Sequence, residues 1–401
     1  MNRRLQRVLC LDDFETEARK HLPRQVFTYV AEAAETRSTL AENRAAFADY
    51  AFLPRVLVNV FGGSQATTLF GRSYNAPFGI APMGISALSA YRGDLVLARV
   101  AEAAGIPMIM SSSSLIRLEE LAAQSPGAWF QAYLPGDDAE VTALVDRVAG
   151  AGFKHLVITV DSQVSPNREN YVRGGFSSPL RPNFTLAWQG ITHPRWTFGT
   201  FLRTLAKYGM PHFENNYATR GPPILSPSVV RDWSDRGRLD WSHFALIRSK
   251  WKGTLLIKGV LHPDDARRAR DLGAEGVIVS NHAGRQLDFT VASLRMLPAV
   301  VAAVRDIPVM LDSGIRRGTD VLKALALGAK FVFIGRPFNY AASIASDDGV
   351  QHGIKLMMDE IARNMAMLGI RSLDELGPDF LVSAATGTAL PVASGQQFRS
   401  T

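Results

Sequence analysis

The chain has 401 residues, 47% hydrophobic and 20% charged, an ordinary balance for a globular protein with a large buried core. Its single cysteine, Cys10, excludes an intramolecular disulfide and a cysteine-based metal cluster, and no metal site is expected. The formal charge of +7 is modest, and outside one segment the basic residues form no long stripe, which gives nucleic-acid binding little support.

The first residues, Met1-Asn2-Arg3-Arg4-Leu5-Gln6-Arg7, are basic but lack the apolar region of a signal peptide. No apolar run approaches the roughly 18 residues of a spanning helix. Residues 1–75 read as helical, over 11–21, 23–34 and 40–47, and are expected to pack on the body of the protein. From residue 76 short apolar runs alternate with helical patterns. The predicted strands are 78–81, 108–110, 129–134, 156–160, 255–257, 277–279, 309–311 and 331–334. Helices are expected at 94–104, 118–124, 138–149, 263–272, 291–304 and 318–327.

Eight strand–helix units predict an α/β fold, a TIM (β/α)8 barrel over residues 76–350, with a doubly wound open sheet as the rival. Residues 175–245, after the fourth strand, are too long for a βα loop and read as an insertion. A last helix is expected at 352–368. One domain would then span 1–382, and the small, polar residues 383–401 would be a disordered tail.

In such a barrel the site is built at the C-terminal ends of the strands. Those ends offer Pro82-Met83-Gly84, Ser111, Gln131 with Tyr133, Thr159 with Asp161, Lys258, Ser280 with His282 and Arg285, Asp312 with Arg316, and Gly335-Arg336. The stretch Ser280-Asn281-His282-Ala283-Gly284-Arg285-Gln286-Leu287-Asp288 is the most informative. A histidine accepts protons near neutral pH, and an arginine fork matches a carboxylate. Together they suggest proton abstraction from a carboxylate-bearing substrate, although a His and an Arg in a polar surface turn would look the same. The loops carrying Gly314 with Arg316 and Gly335 with Arg336 follow the seventh and eighth strands, where these barrels commonly bind phosphate. A phosphorylated cofactor is expected there. Lys258 ends a buried strand, either as a fixed charge beside a cofactor ring or as a buried ion pair with Asp312 or Asp161.

These motifs, with Leu40-Ala41-Glu42-Asn43-Arg44, make the chain resemble the FMN-dependent α-hydroxy-acid oxidising family from about Asp13 to Leu381. That family includes glycolate oxidase, lactate oxidase, the flavin lactate dehydrogenases and mandelate dehydrogenase. The resemblance implies FMN as cofactor and oxidation of a small 2-hydroxy acid to a 2-oxo acid. It implies that His282 is the base and that Asp161 orients it. Arg168 and Arg285 would hold the substrate carboxylate, and Tyr29 and Tyr133 would hydrogen-bond the substrate. Lys258 would lie beside flavin N1 and O2, with Pro82, Met83, Gly84, Ser111, Gln131, Thr159 and Ser280 around the ring. Asp312 would lie near the ribityl chain, and Gly314, Arg316, Gly335 and Arg336 would form the phosphate site. A homotetramer is also implied. A barrel isomerase that needs reduced flavin is disfavoured, because the His282, Arg285 and Asp161 set fits a 2-hydroxy carboxylate.

The chain departs from the family pattern in places. Glu32-Ala33-Ala34-Glu35-Thr36 replaces the usual Ser-Gly-Ala-x-Asp-Glu run, which loosens the placement of Tyr29. Ser113 stands where glycolate oxidase has a tryptophan, which leaves room for a larger substrate side chain. Ala283 replaces a common glycine, tolerable unless that position needs φ > 0. Asp94 replaces a glutamate at a helix start. Gly84 stands where the oxidases often have alanine and mandelate dehydrogenase has glycine, which leans toward an acceptor other than oxygen.

From Ser177 to Phe213 there is no acidic residue, and Arg181, Arg195, Arg203 and Lys207 are interleaved with Trp188, Trp196, Phe198, Phe201, Tyr208 and Phe213. Such a segment suits a membrane interface, centred on 187–210, or a lid over the site. Its His193-Pro194-Arg195-Trp196 and Gly209-Met210-Pro211 resemble the membrane-associated mandelate and lactate dehydrogenases. The expected acceptor is therefore a quinone, with O2 as the alternative, and the expected location is cytoplasmic, peripheral to the inner face of the membrane.

Overall fold

A computed structural model describes residues 4–228 and 234–390. It opens with three helices, α1 (Asp13–His21), α2 (Arg24–Ala31) and α3 (Ser38–Ala45). Phe14 with Ala18 and Val26 with Val30 are spaced four apart, so each pair lies on one buried face against the body. The expectation of helix throughout residues 1–75 fails after Asp49. There β1 (Tyr50–Phe52) is extended, and β2 (Thr67–Leu69) and β3 (Arg72–Tyr74) form an antiparallel hairpin. Phe70 and Gly71 turn it with φ of 50° and 74°, a twist that matches paired strands. Leu69 and Tyr74 then join the core inside the barrel.

The barrel strands are β4 (Phe78–Ile80), β5 (Ile109–Ser111), β6 (Trp129–Ala132), β7 (His155–Thr159), β8 (Thr254–Val260), β9 (Gly276–Val279), β10 (Val309–Asp312) and β11 (Phe331–Ile334). Neighbours run parallel, β11 pairs back onto β4, and a bridge between Ile80 and Met108 closes the ring. The strands are buried on both faces, which is why they read as unbroken apolar runs. Trp129, Val157, Leu256, Ile278, Met310, Phe331 and Phe333 fill the interior.

The accompanying helices are α4 (Ser86–Ser89), α5 (Gly93–Ala103), α6 (Leu118–Gln124), α7 (Asp138–Gly150), α8 (Glu169–Gly174), α9 (Phe184–Thr192), α10 (Pro194–Trp196), α11 (Arg203–Tyr208), α12 (Trp241–Lys250), α13 (Pro263–Asp271), α14 (Ser293–Ala303), α15 (Gly318–Ala326) and α16 (Arg336–Leu368). The last helix, expected only from residue 352, begins at Arg336 and kinks at Ala345 and Ser346. The expected tail from residue 383 is corrected in part. β12 (Leu381–Ser383) pairs with β1, and Ser383 N–H donates to Thr388 O at 2.9 Å. Residues 391–401, the rest of that expected tail, lie outside the described residues.

The insertion is helical over α9 to α11, with a π-turn at Thr197–Leu202. Trp196 anchors it, donating from Nε1 to Leu88 O at 2.7 Å. In the same segment Phe184, Trp188, Ile191 and Phe198 are all more than half exposed. Among the described residues no helix is long and apolar enough to cross a membrane. The returning arm is pinned by Arg147, which donates to Glu214 O and Tyr217 O while paired with the Glu119 carboxylate.

Candidate active site

A cavity of about 1,020 Å³ opens at the C-terminal end of the barrel. Its lining includes Tyr29, Pro82, Met83, Gly84, Tyr133, Thr159, Arg168, Lys258, His282, Arg285, Asp312, Gly314, Arg316, Gly335 and Arg336. Most of the expected site residues therefore converge on one space. Asp161, Ser111, Gln131 and Ser280 stand behind that lining rather than on it.

His282 leaves the end of β9 in a left-handed turn, with φ of 55°. That turn aims Nδ1 at Asp161 Oδ1, 2.8 Å away, and Nε2 at the Tyr133 hydroxyl, 3.1 Å away. Burial lowers the proton affinity of His282, and Asp161 opposes the shift without cancelling it. Burial works against the Asp161 carboxylate, but His282 and Lys258 outweigh it and hold its pKa below the ordinary value. The pair is thus a neutral imidazole on an ionised carboxylate, with Nε2 facing the cavity side, as a general base requires.

Two guanidinium groups lie beside it. Arg285 donates to Tyr29 O at 2.8 Å and sits 5.0 Å from the Tyr29 ring centre. Arg168 donates to Arg285 O at 3.0 Å and to Gln286 Oε1 at 2.8 Å. Tyr171 also donates to Tyr29 O, so the residue is fixed by its carbonyl despite the altered sequence after it. Desolvation pushes the Tyr29 hydroxyl up to about 12. It stays protonated and available as a donor.

Lys258 forms the buried ion pair that its position at a strand end allowed, with Asp312 as the partner. Nζ lies 3.0 Å from Asp312 Oδ2 and donates to Ser280 Oγ at 2.8 Å. Burial acts to lower its pKa, but Asp312 and Asp161 prevail and keep it charged. Ser111 Oγ donates to Gln131 Oε1 at 3.1 Å. The Gln131 Nε2 and Thr159 Oγ1 atoms are buried with no protein partner.

In the loop after β10 Gly314 has φ of 88°, and a Cβ there would lie 2.1 Å from Asn43 O, so only glycine fits. Gly335 is under no such constraint, since its nearest neighbours are 3.6 Å away. Arg316 is partly buried, its side chain 11% exposed, and Arg336 is drawn down to about 10 by burial and by the neighbouring Arg285. Arg336 donates to Val30 O at 2.8 Å and Glu32 O at 3.1 Å, so it also ties α2 to the barrel rim.

Several contributors escaped the sequence. Ser313 Oγ receives Ala283 N–H at 3.0 Å. The Asn43 and Asn281 amides bond reciprocally at 2.8 Å, locking α3 to the loop that carries His282. Arg236, from the insertion, also lines the cavity. Asn43 and Asn281 sat inside recognised motifs, but Arg236 follows no strand and carried no signal.

The barrel mouth thus gathers a His–Asp pair, two arginines and a glycine–arginine end around one cavity, an arrangement compatible with a cofactor-dependent enzyme. Residues 18–383 match the FMN-dependent dehydrogenase family, and the chain belongs to it. It is similar to the L-lactate dehydrogenases of Stenotrophomonas maltophilia (strain K279a), 37% identical over 92% of this chain and 98% of that one, and Pseudomonas entomophila (strain L48), 38% identical over 92% and 97%. Among solved structures it is similar to (S)-mandelate dehydrogenase, described as a monotopic membrane protein, with a TM-score of 0.85 and 32% identity over 94% of this chain and 100% of that one. A mandelate oxidase with (S)-2-phenylpropionate gives a TM-score of 0.76 and 32% identity over 92% and 96%. The chain is an FMN-dependent oxidoreductase of this 2-hydroxy-acid family. The mouth suits FMN: the unpartnered Gln131 and Thr159 atoms match the polar edge of a flavin ring, and Lys258, the strand neighbour of Thr159, carries a fixed charge.

Proposed function

We propose that the protein oxidises an L-2-hydroxy acid to a 2-oxo acid and passes the electrons to a quinone. The observation that carries the reading is the His282–Asp161 contact of 2.8 Å beside Arg285 and Arg168. The two arginines and Tyr29 hold the substrate carboxylate. Tyr133 and His282 meet the hydroxyl, and His282 Nε2 takes the proton that leaves. Asp161 steadies the imidazolium that results. FMN, when bound, supplies the two-electron acceptor. Lys258, Ser280, Thr159, Gln131 and Ser111 hold its ring, Pro82, Met83 and Gly84 lie along it, and Asp312 serves the ribityl chain. Gly314, Arg316, Gly335 and Arg336 hold its phosphate. Ser113, in place of a bulky aromatic, favours substrates with a side chain larger than that of lactate, and Gly84 favours an acceptor other than oxygen.

The test is anaerobic bleaching of the flavin by a panel of 2-hydroxy acids, followed by reoxidation with oxygen or a quinone analogue. Rapid reduction of His282→Gln would sink the base assignment. Fast reoxidation by oxygen alone would make the enzyme an oxidase.

The exposed Phe184, Trp188, Ile191 and Phe198 support a cytoplasmic protein peripheral to the inner membrane face. Phe184→Ser/Trp188→Ser/Ile191→Ser should abolish binding to anionic liposomes, whereas unchanged binding would leave the insertion as a lid. One catalytic domain over residues 1–382 and a homotetramer complete the reading. Val56, Leu57 and Phe61, each more than four-fifths exposed, offer an apolar surface for the tetramer.

A further inference from the structure

One wall of the cavity is not built by a strand end. Arg236 lies in the short turn Ser234–Arg238, on the arm by which the insertion returns to the barrel. It is 8% exposed and lines the same cavity as His282 and Arg285. Its guanidinium carbon sits 4.6 Å from the centre of the Tyr133 ring. Tyr133 holds its hydroxyl 3.1 Å from His282 Nε2. The insertion therefore reaches the catalytic histidine through a single intermediate side chain.

We propose that Arg236 is a positioning residue for the oxidation, clamping Tyr133 from its ring face and strengthening its hydroxyl as a hydrogen-bond donor to the substrate oxygen. A cation over an aromatic face is held by the ring quadrupole, more firmly where water is excluded. It also withdraws electron density from the ring, so the phenol O–H becomes more acidic. Burial pushes the Tyr133 hydroxyl the other way, and Lys258, Arg236 and Arg168 oppose that shift. As His282 takes the substrate proton, negative charge grows on the substrate oxygen. Tyr133 donates to the same Nε2 that takes that proton, 3.1 Å away, so as Nε2 is protonated its hydroxyl is released next to the substrate oxygen, where a preplaced donor stabilises the charge. The residue acts through Tyr133, so its contribution belongs to the reduction step and not to substrate capture.

The inference rests on the proposed placing of Tyr133 and His282 at the substrate hydroxyl. Its test is a double-mutant cycle on the FMN-loaded enzyme. The limiting rate of anaerobic flavin reduction is measured for wild type, Arg236→Met, Arg236→Lys, Tyr133→Phe and Arg236→Met/Tyr133→Phe. Arg236→Met should slow reduction about tenfold and change KM less than about twofold. Arg236→Lys, which keeps the cation, should recover most of the rate. In the Tyr133→Phe background Arg236→Met should cost almost nothing more, because the hydroxyl it tunes is gone. An Arg236→Met rate within about twofold of wild type overturns the proposal, as does an equal penalty in both backgrounds. A penalty confined to KM, or loss of FMN from both Arg236 variants, assigns a binding or structural role and overturns it too. Fast reduction of His282→Gln would instead remove the catalytic reading beneath it, so the two failures are distinguishable.

Discussion

The hydroxyl of Tyr29 occupies the space that a side chain on residue 84 would need. A Cβ on Gly84 would lie 2.5 Å from Tyr29 Oη and 3.1 Å from Ser113 Cβ. Tyr29 cannot step aside easily. Its ring packs 4.9 Å from Phe176 and 5.9 Å from Tyr171, and its carbonyl is held by Arg285. Gly84→Ala should therefore displace the hydroxyl, at a cost of about 1–3 kcal/mol in substrate binding. The expected result is a KM for the 2-hydroxy acid raised roughly 5- to 150-fold, at unchanged FMN content. Tyr29→Phe lacks the clashing oxygen, so Gly84→Ala should cost much less in that background. Steady-state kinetics on the four proteins decides it, and equal penalties in both backgrounds would reject the steric account.

The His282–Asp161 pair sets a pH dependence whose sign is fixed by the shifts. In the proposed role His282 accepts a proton only when its imidazole is neutral. Burial places the His282 pKa below its ordinary 6.5, with Asp161 limiting the drop. The rate of flavin reduction should rise as pH climbs through a value below 6.5 and be flat from neutral upward. Asp161→Asn removes the carboxylate that supports the imidazolium. The inflection should then move lower still, and the limiting rate should fall about 100-fold or more. Stopped-flow reduction across a pH series checks both. An inflection above neutrality, or an Asp161→Asn enzyme of normal rate, would contradict the assignment.

Ala283 realises the condition under which its sequence departure matters. Its φ is 53°, between His282 at 55° and Gly284 at 75°. An alanine there carries the left-handed penalty of about 1–2 kcal/mol, which a glycine avoids. Part of that gain is lost to the greater freedom of glycine in the unfolded chain. Ala283→Gly should stabilise the holoenzyme by about 0.5–1 kcal/mol, a rise of about one or two degrees in Tm. Flavin reduction should stay near wild type. A lower Tm would show that the turn is held so firmly by its neighbours that the alanine is under no strain.

The barrel was legible because its strands are buried on both faces and leave uninterrupted apolar runs such as Val277-Ile278-Val279. His282, Arg285, Asp161 and Lys258 were legible for the same reason, since each lies at or just after the end of such a run. The hairpin of β2 and β3 was not, because two three-residue strands leave too short a pattern. The first half of α16 was hidden by its small and acidic residues, Ala341-Ala342-Ser343 and Asp347-Asp348-Gly349. Arg336 shows a subtler limit. Its motif pointed to a phosphate, but its fork also meets Val30 O and Glu32 O, contacts that exist only after α2 has docked. Arg236 was invisible because its partner, Tyr133, belongs to a distant strand end.

Asp94 is fully buried in the first turn of α5, and its burial raises its pKa to about 6. In the unfolded chain the same group titrates near its ordinary 3.8. Between those values the native state binds more protons than the unfolded one. Stability contributed by this group therefore falls as pH rises from about 4 to about 6, and the penalty persists above that window. A rise of that size corresponds to about 3 kcal/mol, an upper figure because the helix N terminus favours the charged form. Asp94→Asn cannot ionise. Its stability relative to wild type should increase by up to about 3 kcal/mol between pH 4 and pH 7 and then level off. Urea denaturation of both proteins across that range measures the difference directly. A flat difference, or one that shrinks with rising pH, would mean that Asp94 is ionised throughout and compensated inside the fold.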